Sequence, residues 1–199
     1  LTDHVLFINY CNINVPNSYN EAMQSEERTM WKMAMNDELD SLRLNETWDV
    51  VNRPDNKDII DTRWLLRIKS DGKYKARLVA KGFQQSYQEN EELYSPVARM
   101  QTLKILLVLA CINKWFIEQM DVQTAFLNGT IKSEVYIYPP EGTKIKQNKV
   151  CLLKKALYGL RESPRDWYDC FHDFMTLNGA VRSKYDYCLY IIKNNYKNQ

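Results

Sequence analysis

The organisation of this chain is predicted from one short stretch, Gln119-Met120-Asp121-Val122-Gln123-Thr124-Ala125-Phe126-Leu127-Asn128-Gly129. The apolar residues Trp115-Phe116-Ile117 precede it, and the pattern predicts a strand over residues 115–120 that delivers the carboxylate of Asp121 to its end. A short helical turn that ends at Gly129 then carries the chain away. A strand-end carboxylate can bind a hard divalent cation, and the N–H groups of the following turn can hold phosphate oxygens. The alternative is that Asp121 only caps the turn, and this residue alone does not decide between the two.

Length and composition favour one globular domain or two small lobes. The chain has 199 residues, of which 45% are hydrophobic and 12% aromatic, enough for a sizeable core. Its formal net charge of +2 gives little reason by itself to expect a nucleic-acid ligand. The sequence contains neither a run of eighteen apolar residues nor a signal peptide, so we predict no membrane contact. Residues 1–17 lack a clear period and are expected to be a linker or arm, with the folded domain at residues 18–199.

The cysteines indicate reduced thiols in an intracellular protein. Five are spread along the chain without Cys-x-x-Cys spacing, which makes a structural zinc site an unfavoured interpretation. Cys111 and Cys170 are predicted to be small core residues. Neither a Gly-x-x-x-x-Gly-Lys nor a Gly-x-Gly-x-x-Gly loop occurs, and no histidine lies in a Ser or Cys nucleophile motif.

Three segments have the apolar period of helices that pack on a sheet. The first should end near Asn45, the second should start at Thr102, and the third should begin with Ser163 as N-cap and Pro164 as first helical residue. For the first helix a membrane or partner role is the less favoured alternative to packing. The predicted core positions are Trp31, Ala34, Met35, Leu39 and Leu42, then Leu103, Leu106, Leu107, Ala110 and Cys111, then Trp167, Cys170, Phe171, Phe174 and Met175.

Short β-rich segments predict an antiparallel sheet, and the predicted class is α+β with helices packed behind that sheet. The last of the segments is expected to be a buried strand. The segments are residues 47–51, 59–60, 135–138, 149–153 and 187–192.

A β-hairpin is predicted around Ser70-Asp71-Gly72, because an Asp-Gly pair supplies the positive φ angles that a tight turn requires. Alternation along the second strand places basic side chains on one face. That face is either an ordinary solvated surface that resists edge pairing or a binding surface for phosphates, and the residues alone leave both open. The basic residues are Lys73, Lys75, Arg77 and Lys81.

Four motifs, in the same order and with about the same spacing, resemble the reverse transcriptase of copia-type LTR retrotransposons. Besides the stretch that contains Asp121 they are Lys75-Ala76-Arg77-Leu78-Val79-Ala80-Lys81-Gly82-Phe83, Tyr94-Ser95-Pro96-Val97-Ala98-Arg99 and Ala156-Leu157-Tyr158-Gly159-Leu160-Arg161. The resemblance covers most of the chain and implies the fingers and part of the palm of a right-hand polymerase, in a cytoplasmic particle. Family members carry a second carboxylate motif, Tyr-x-Asp-Asp, just beyond the position of Gln199, so we expect a fragment that ends before it.

The resemblance implies that residues after the predicted strand take part in two-metal nucleotidyl transfer. Asp121 would be a catalytic metal ligand and the Val122 carbonyl a second ligand, for Mg²⁺ or Mn²⁺. Thr124 and Ala125 would offer backbone N–H groups to a triphosphate. The ring of Phe126 would exclude a ribose 2′ hydroxyl, although a core ring is the ordinary interpretation of such a residue.

The other two implied contacts come from the hairpin and from the last motif. Tyr158 and Gly159 would lie beneath the incoming base and near the primer–template, where the residues alone also allow a simple turn before a helix. Lys75, Arg77 and Lys81 would meet the triphosphate and the template backbone. The implied partners are an RNA or DNA template with its primer, deoxynucleoside triphosphates and the rest of the polyprotein.

Two other functions stay open from the sequence. With one carboxylate where the chemistry needs a cluster, we expect the chain to be inactive as a polymerase on its own. A catalytically dead nucleic-acid-binding or interaction module derived from such an element is the main alternative. A structural α+β domain without a nucleic-acid role is the third.

Overall fold

The computed structural model describes residues 15–86, 94–146 and 148–192 of the chain. Most of the predicted arm at residues 1–17 lies outside these ranges, as does most of a polar loop predicted at residues 84–92. The described residues form four α-helices, eight strands and two short 3₁₀ turns, which is a mixed α/β architecture. None of the helices in these ranges is long and apolar enough to cross a membrane.

The elements follow one another without internal repeats. The helices are α1 (Tyr19–Gln24), α2 (Arg28–Leu44), α3 (Met100–Asn113) and α4 (Ser163–Leu177), and the 3₁₀ turns are Gly82–Gln84 and Ala125–Asn128. The strands are β1 (Trp48–Asn52), β2 (Ile59–Ile60), β3 (Thr62–Ile68), β4 (Tyr74–Ala80), β5 (Tyr136–Ile137), β6 (Lys149–Leu153), β7 (Ala180–Arg182) and β8 (Tyr190–Ile192).

The second helix packs on the hairpin, and the first helix packs on the second. Ser18 begins α1, since its Oγ accepts a hydrogen bond from the N–H of Glu21 at 3.2 Å. All five predicted core positions of α2 are buried, which confirms the amphipathic helix, and the helix ends at Leu44 with Asn45 as its C-cap, close to the predicted end. Trp31 of α2 packs edge-on against Tyr74 of β4, with the ring centroids 4.5 Å apart.

The predicted hairpin is confirmed. β3 and β4 pair antiparallel, with Leu65 opposite Arg77. Gly72 in the turn has a φ of 79°, a left-handed conformation that glycine adopts without a steric penalty. The even-numbered residues of β4 from Ala76 to Ala80 are buried, and Lys75 and Arg77 alternate with them. The hairpin thus buries apolar side chains in the core and places Lys75 and Arg77, but also the buried Val79, at the alternate positions.

The largest sheet is mixed rather than purely antiparallel as predicted. Its strand order is β1-β6-β5-β2, with antiparallel pairs β1–β6 and β5–β6 and a parallel pair β2–β5. Ile59 lies opposite Tyr136 in the parallel pair, and the long connection between them permits that direction. The strands predicted at residues 47–51, 59–60, 135–138 and 149–153 are confirmed to within one residue at each end.

Residues 115–120 are irregular, so the strand predicted there is wrong. The side chains of Trp115, Phe116 and Met120 are exposed. Apolar composition predicted the strand, but a strand requires a neighbour whose backbone groups pair with its own. No strand in the described ranges pairs with this segment.

The helix predicted after Pro96 is confirmed as α3, but its predicted packing is wrong within the described residues. Of its five predicted core positions only Ala110 is buried, and Cys111 is exposed rather than in the core. The helix is apolar around its whole circumference, so the period does not mark one buried face. Oδ2 of Asp186 accepts a hydrogen bond from the N–H of Arg99 at 3.2 Å and holds the start of the helix.

The boundary and the stripe predicted for α4 need correction. Glu162 is the N-cap and Ser163 the first helical residue, because the hydroxyl of Ser163 donates to the carbonyl of Leu157 at 2.6 Å instead of capping the helix. None of the five residues of the predicted apolar stripe is buried, since Phe174 is exposed and the other four are half-buried. The residues that α4 buries are Ser163, Asp166 and Tyr168, which lie outside the predicted stripe.

The buried strand predicted at residues 187–192 is also corrected. Only β8 is a strand; it pairs antiparallel with β7 and is half-buried to exposed. The preceding residues form a turn, in which the N–H of Leu189 donates to the carbonyl of Asp186 at 3.0 Å. This turn uses the backbone groups that a longer strand would need.

Candidate nucleotide-binding groove

A groove of about 670 Å³ lies between α2, β4 and the segment that follows Asp121. It brings together most of the residues that the sequence marks as a candidate site, from three separate parts of the chain. The candidate residues that line it are Lys75, Arg77, Asp121, Val122, Thr124, Ala125, Phe126 and Tyr158. The resemblance implied that these residues act at one site, and their individual roles stay predictions.

Asp121 lines the groove although the residues before it do not form a strand. Its side chain is exposed, as are those of Met120 and Val122. α3 ends where Lys114 takes a left-handed conformation with φ of 55°, and the irregular segment after it leads to the groove. An exposed carboxylate in a groove is available to a ligand.

The turn after Asp121 is held firmly in place. Thr124 is left-handed, with φ of 49°, and its carbonyl accepts a hydrogen bond from the N–H of Leu127 at 2.8 Å. Leu127 is buried in the core, and the carbonyl of Gly129 accepts a hydrogen bond from Ala156 at 3.0 Å. A Cβ on Gly129 would lie only 3.1 Å from the backbone at Asp166, so α4 packs directly on this turn.

Three of the candidate residues contact one another. The rings of Phe126 and Tyr158 meet edge to face, with centroids 5.5 Å apart. The guanidinium of Arg77 lies 6.0 Å from the centroid of the Tyr158 ring, at the outer limit of a cation–π contact. Phe126 is half-buried by this contact, so it is neither a core ring nor a free surface ring.

Gly159 allows Tyr158 to lie against the hairpin. The N–H of Ala80 donates to the carbonyl of Tyr158 at 2.8 Å, which adds a backbone contact to the outer edge of β4. Gly159 has a φ of 96°, and a Cβ there would overlap the carbonyl oxygen of Ala80. The absence of a side chain at Gly159 thus lets its backbone approach β4, and its predicted place near the primer–template stays a prediction.

A junction between two motifs supports this arrangement, and sequence reasoning missed it. Arg161 Nε donates to the carbonyl of Gly82 at 3.1 Å, and the N–H of Arg161 donates to Oε1 of Gln85 at 3.0 Å. Nε2 of Gln85 in turn donates to the carboxylate of Glu162 at 2.8 Å. Polar residues after a strand and before a helix gave no signal of pairing, because their partners lie more than 70 positions away in the sequence.

Lys81 does not line the groove. Its ammonium group lies 3.2 Å from Oδ2 of Asp61, at the far end of β4. The hydrogen bond from Gln84 and then the contact with Lys81 hold the pKa of Asp61 below its ordinary value. Two-residue alternation placed Lys81 with Lys75 and Arg77, but the strand ends at Ala80 and the alternation ends with it.

Glu38 is a second groove residue that sequence reasoning missed. It lies on α2, is half-buried, and accepts a hydrogen bond from the N–H of Leu78 through Oε1 at 3.2 Å. Burial raises the pKa of Glu38 above its ordinary value, although the hydrogen bond and the cations of Arg77 and Lys75 act in the opposite direction. In the sequence it was one of several polar residues outside the apolar stripe.

The residues that the structure describes do not make a complete site for two metal ions. Asp121 and the carbonyl of Val122 are suitable oxygen ligands for Mg²⁺. No group of three or more His, Cys, Asp or Glu side chains in the described ranges is arranged to hold a metal. The assignment of Asp121 and Val122 as metal ligands therefore stays a prediction.

Comparison with known proteins identifies the family. A profile described as reverse transcriptase (RNA-dependent DNA polymerase) matches residues 45–198. The chain is 38% identical to the Retrovirus-related Pol polyprotein from transposon TNT 1-94 of Nicotiana tabacum and 39% identical to that from transposon RE1 of Arabidopsis thaliana. It is 32% identical to the Transposon Ty1-H Gag-Pol polyprotein of Saccharomyces cerevisiae. No solved structure matches.

These alignments cover 88%, 86% and 79% of this chain but only 14%, 12% and 9% of the three polyproteins. The chain therefore corresponds to a small part of each polyprotein. Because the profile and the relatives agree over most of its length, the chain belongs to the reverse transcriptase (RNA-dependent DNA polymerase) family, in the form found in copia-type Pol polyproteins.

Proposed function

We propose that this chain is part of an RNA-directed DNA polymerase and that its groove receives the primer–template and a deoxynucleoside triphosphate. The observation that carries the proposal is the convergence of Asp121, Phe126, Tyr158 and Arg77 on one groove. A carboxylate, two aromatic rings and a guanidinium are the groups that a metal-bound nucleotide would need for its phosphates, sugar and base. Membership of the reverse transcriptase family supports the same reaction.

In this proposal each part of the groove has its own task. Lys75 and Arg77 attract phosphates, and the backbone N–H groups of Thr124 and Ala125 hold a triphosphate. Phe126, whose ring is fixed edge-on against Tyr158, leaves no room for a 2′ hydroxyl and so selects deoxynucleotides. The contact between the two rings supports this task, because a fixed ring discriminates by shape better than a free one.

For metal binding, the proposal is that the carboxylate of Asp121 and the carbonyl of Val122 bind the same Mg²⁺ or Mn²⁺ ion. Divalent ions, when bound, supply activation of the attacking hydroxyl and stabilisation of the leaving pyrophosphate. Carboxylates beyond those of the described residues must complete the set. The chain then works as one part of a larger polymerase, within a polyprotein.

A second candidate function is a nucleic-acid-binding module without catalysis. The lack of a metal-binding group of three side chains among the described residues favours it. Both functions require nucleic-acid binding, so binding is tested first.

We expect the double substitution Lys75→Gln/Arg77→Gln to weaken binding of an RNA–DNA primer–template. Fluorescence anisotropy across a salt series should show the slope of log K against log salt fall in magnitude by about one to two units, roughly one per lost phosphate contact. Adding Lys81→Gln should change the slope little, because Lys81 is paired with Asp61.

The matched control is Arg28→Gln/Lys32→Gln, which removes the same two residue types from exposed positions of α2 outside the groove lining. It should leave affinity within about twofold and the slope unchanged. Equal effects from the two double variants would place Lys75 and Arg77 on an ordinary solvated face and would contradict the proposal.

A further inference from the structure

Glu38 reaches the outer edge of the hairpin from the neighbouring helix. The backbone N–H groups of the odd-numbered residues in and next to β4 point toward β3. An example is the hydrogen bond from the N–H of Lys81 to the carbonyl of Asp61 at 2.8 Å. The N–H of Leu78 therefore points to the other side, where Oε1 of Glu38 accepts it at 3.2 Å. The carboxylate takes the position that the carbonyl of an adjacent strand would occupy.

The same carboxylate lies in the field of the groove cations. Arg77 and Lys75 are near enough to favour its ionised form, while partial burial disfavours that form. A half-buried charge is screened less by salt and water than an exposed one. The carboxylate of Glu38 thus partly neutralises the charges of Lys75 and Arg77.

The charges of the groove do not favour an anion as they stand. Three carboxylates, those of Asp37, Glu38 and Asp121, line it against two cations, Lys75 and Arg77. Asp37 is exposed on the surface of α2, whereas Glu38 is hydrogen-bonded to the strand that carries both cations. Of the two helix carboxylates, Glu38 is therefore the one that couples to the cations most strongly.

We propose that Glu38 is an internal anion that sets how tightly the groove holds a phosphate-bearing ligand. It acts through Lys75 and Arg77, whose attraction for phosphate it reduces, and it does not need to touch the ligand. The inference rests on the proposed function to the extent that this function supplies the phosphate-bearing ligand. It adds a residue on α2 that adjusts the affinity of the site.

The test uses inorganic tripolyphosphate as the probe and calorimetry with the full 199-residue chain at low salt. Glu38→Gln keeps an oxygen that can accept the hydrogen bond from Leu78 but removes the charge. It should bind the probe about five- to tenfold more tightly than the unmodified chain, the size expected for one partly buried unit charge. Loss of structure would lower affinity, so a gain is not a merely structural effect.

Two further variants make the test specific. Asp37→Asn changes the net charge by the same amount from the next position and should produce less than half of the effect on the binding free energy. Glu38→Asp keeps the charge and should not tighten binding. Arg77→Gln introduced together with Glu38→Gln should remove most of the gain, since Glu38 acts through that cation.

The inference is overturned if Glu38→Gln binds no more tightly than the unmodified chain, if Asp37→Asn equals it, or if neither Glu38→Gln nor the unmodified chain binds the probe. Failure of the proposed function has a different signature, namely primer–template binding that does not respond to Lys75→Gln/Arg77→Gln. An unchanged affinity in Glu38→Gln together with weakened binding in that double variant would refute only the role of Glu38.

Discussion

Asp166 is a buried carboxylate in the first turn of α4, next to the turn that carries Phe126. It is 6% exposed, and its Oδ2 has no hydrogen-bond partner among the described residues. Burial raises the pKa of Asp166 to about 6, with Lys132 acting against the shift. The carboxylates of Glu162 and Asp169 raise this pKa further. An ionised Asp166 is therefore a source of instability where α4 meets the turn that carries Phe126.

We predict that Asp166→Asn increases the free energy of unfolding at pH 7.5 by about 2 kcal/mol, because it removes a buried charge at constant shape. The folded pKa lies above the unfolded one, so the native state binds the extra proton and the wild type gains stability as the pH falls. The advantage of the variant should be complete above pH 6, shrink between pH 6 and 3.8, and vanish below. Urea unfolding monitored by tryptophan fluorescence across that range measures it.

Asp169→Asn is the matched control, three residues along the same helix. Burial acts to raise the pKa of Asp169, but the contacts with Lys132 and Arg165 outweigh it and hold the pKa below its ordinary value. This substitution should therefore destabilise the protein at neutral pH, and its effect should fade as the pH drops through the depressed pKa. Two variants with the same sign would contradict our account of the buried carboxylate.

Single residues were predicted from the sequence only where their neighbours along the chain define them. The positive φ of Gly72 follows from the Asp-Gly pair, and the burial of Trp31 follows from helical spacing. The burial of Asp166 and the position of Glu38 depend on elements far away in sequence. A polar residue in an amphipathic helix gives no sign of which strand edge it will meet.

Gly159 and Gly179 allow two costs of replacing a glycine by alanine to be compared. One cost is backbone strain, and the other is steric overlap with a neighbouring element. Both have positive φ, 96° and 80°, but a Cβ on Gly159 would overlap the backbone of β4 whereas nothing lies within 4 Å of one on Gly179. We predict that Gly179→Ala costs about 1 kcal/mol, the strain of a left-handed alanine. Gly159→Ala should cost more than about 3 kcal/mol, because the motif that carries Tyr158 must also separate from β4.

Thermal and urea unfolding measure both losses. A second measurement is the NMR chemical shifts of the backbone groups of Ala80 and Tyr158, which should change if the Tyr158 motif separates from β4. Equal costs for the two substitutions would mean that the junction between β4 and the Tyr158 motif contributes little to stability.

Elements were predictable from the sequence where local signals suffice. The hairpin has its own turn residues and α2 its own apolar face, and both are confirmed. The apolar residues of segment 115–120 and most of those of α3 are exposed in the described structure, so composition predicted burial that is not observed there. Strand β2 pairs in parallel with a strand some 75 positions away, and no turn signal could reveal that direction.

For the whole molecule, we predict that the 199-residue chain binds primer–template but extends no primer detectably with Mg²⁺ or Mn²⁺. No group of three His, Cys, Asp or Glu side chains in the described ranges is placed to hold a metal, and a magnesium ion held by Asp121 and waters alone is not fixed beside a primer hydroxyl. Primer extension with labelled deoxynucleotides measures activity, with an active reverse transcriptase as the positive control. Extension by the chain that survives Asp121→Asn would contradict the assignment of Asp121 as a metal ligand.

The groove draws its walls from positions as far apart as Ala34 and Tyr158. During synthesis α2 and the Asp71-Gly72 hairpin can form early, because their contacts are between residues that are close in the sequence. The groove needs closure of much longer loops and cannot exist until Tyr158 has left the ribosomal exit tunnel. A nascent chain consequently exposes Lys75 and Arg77 to polyanions before the groove has formed.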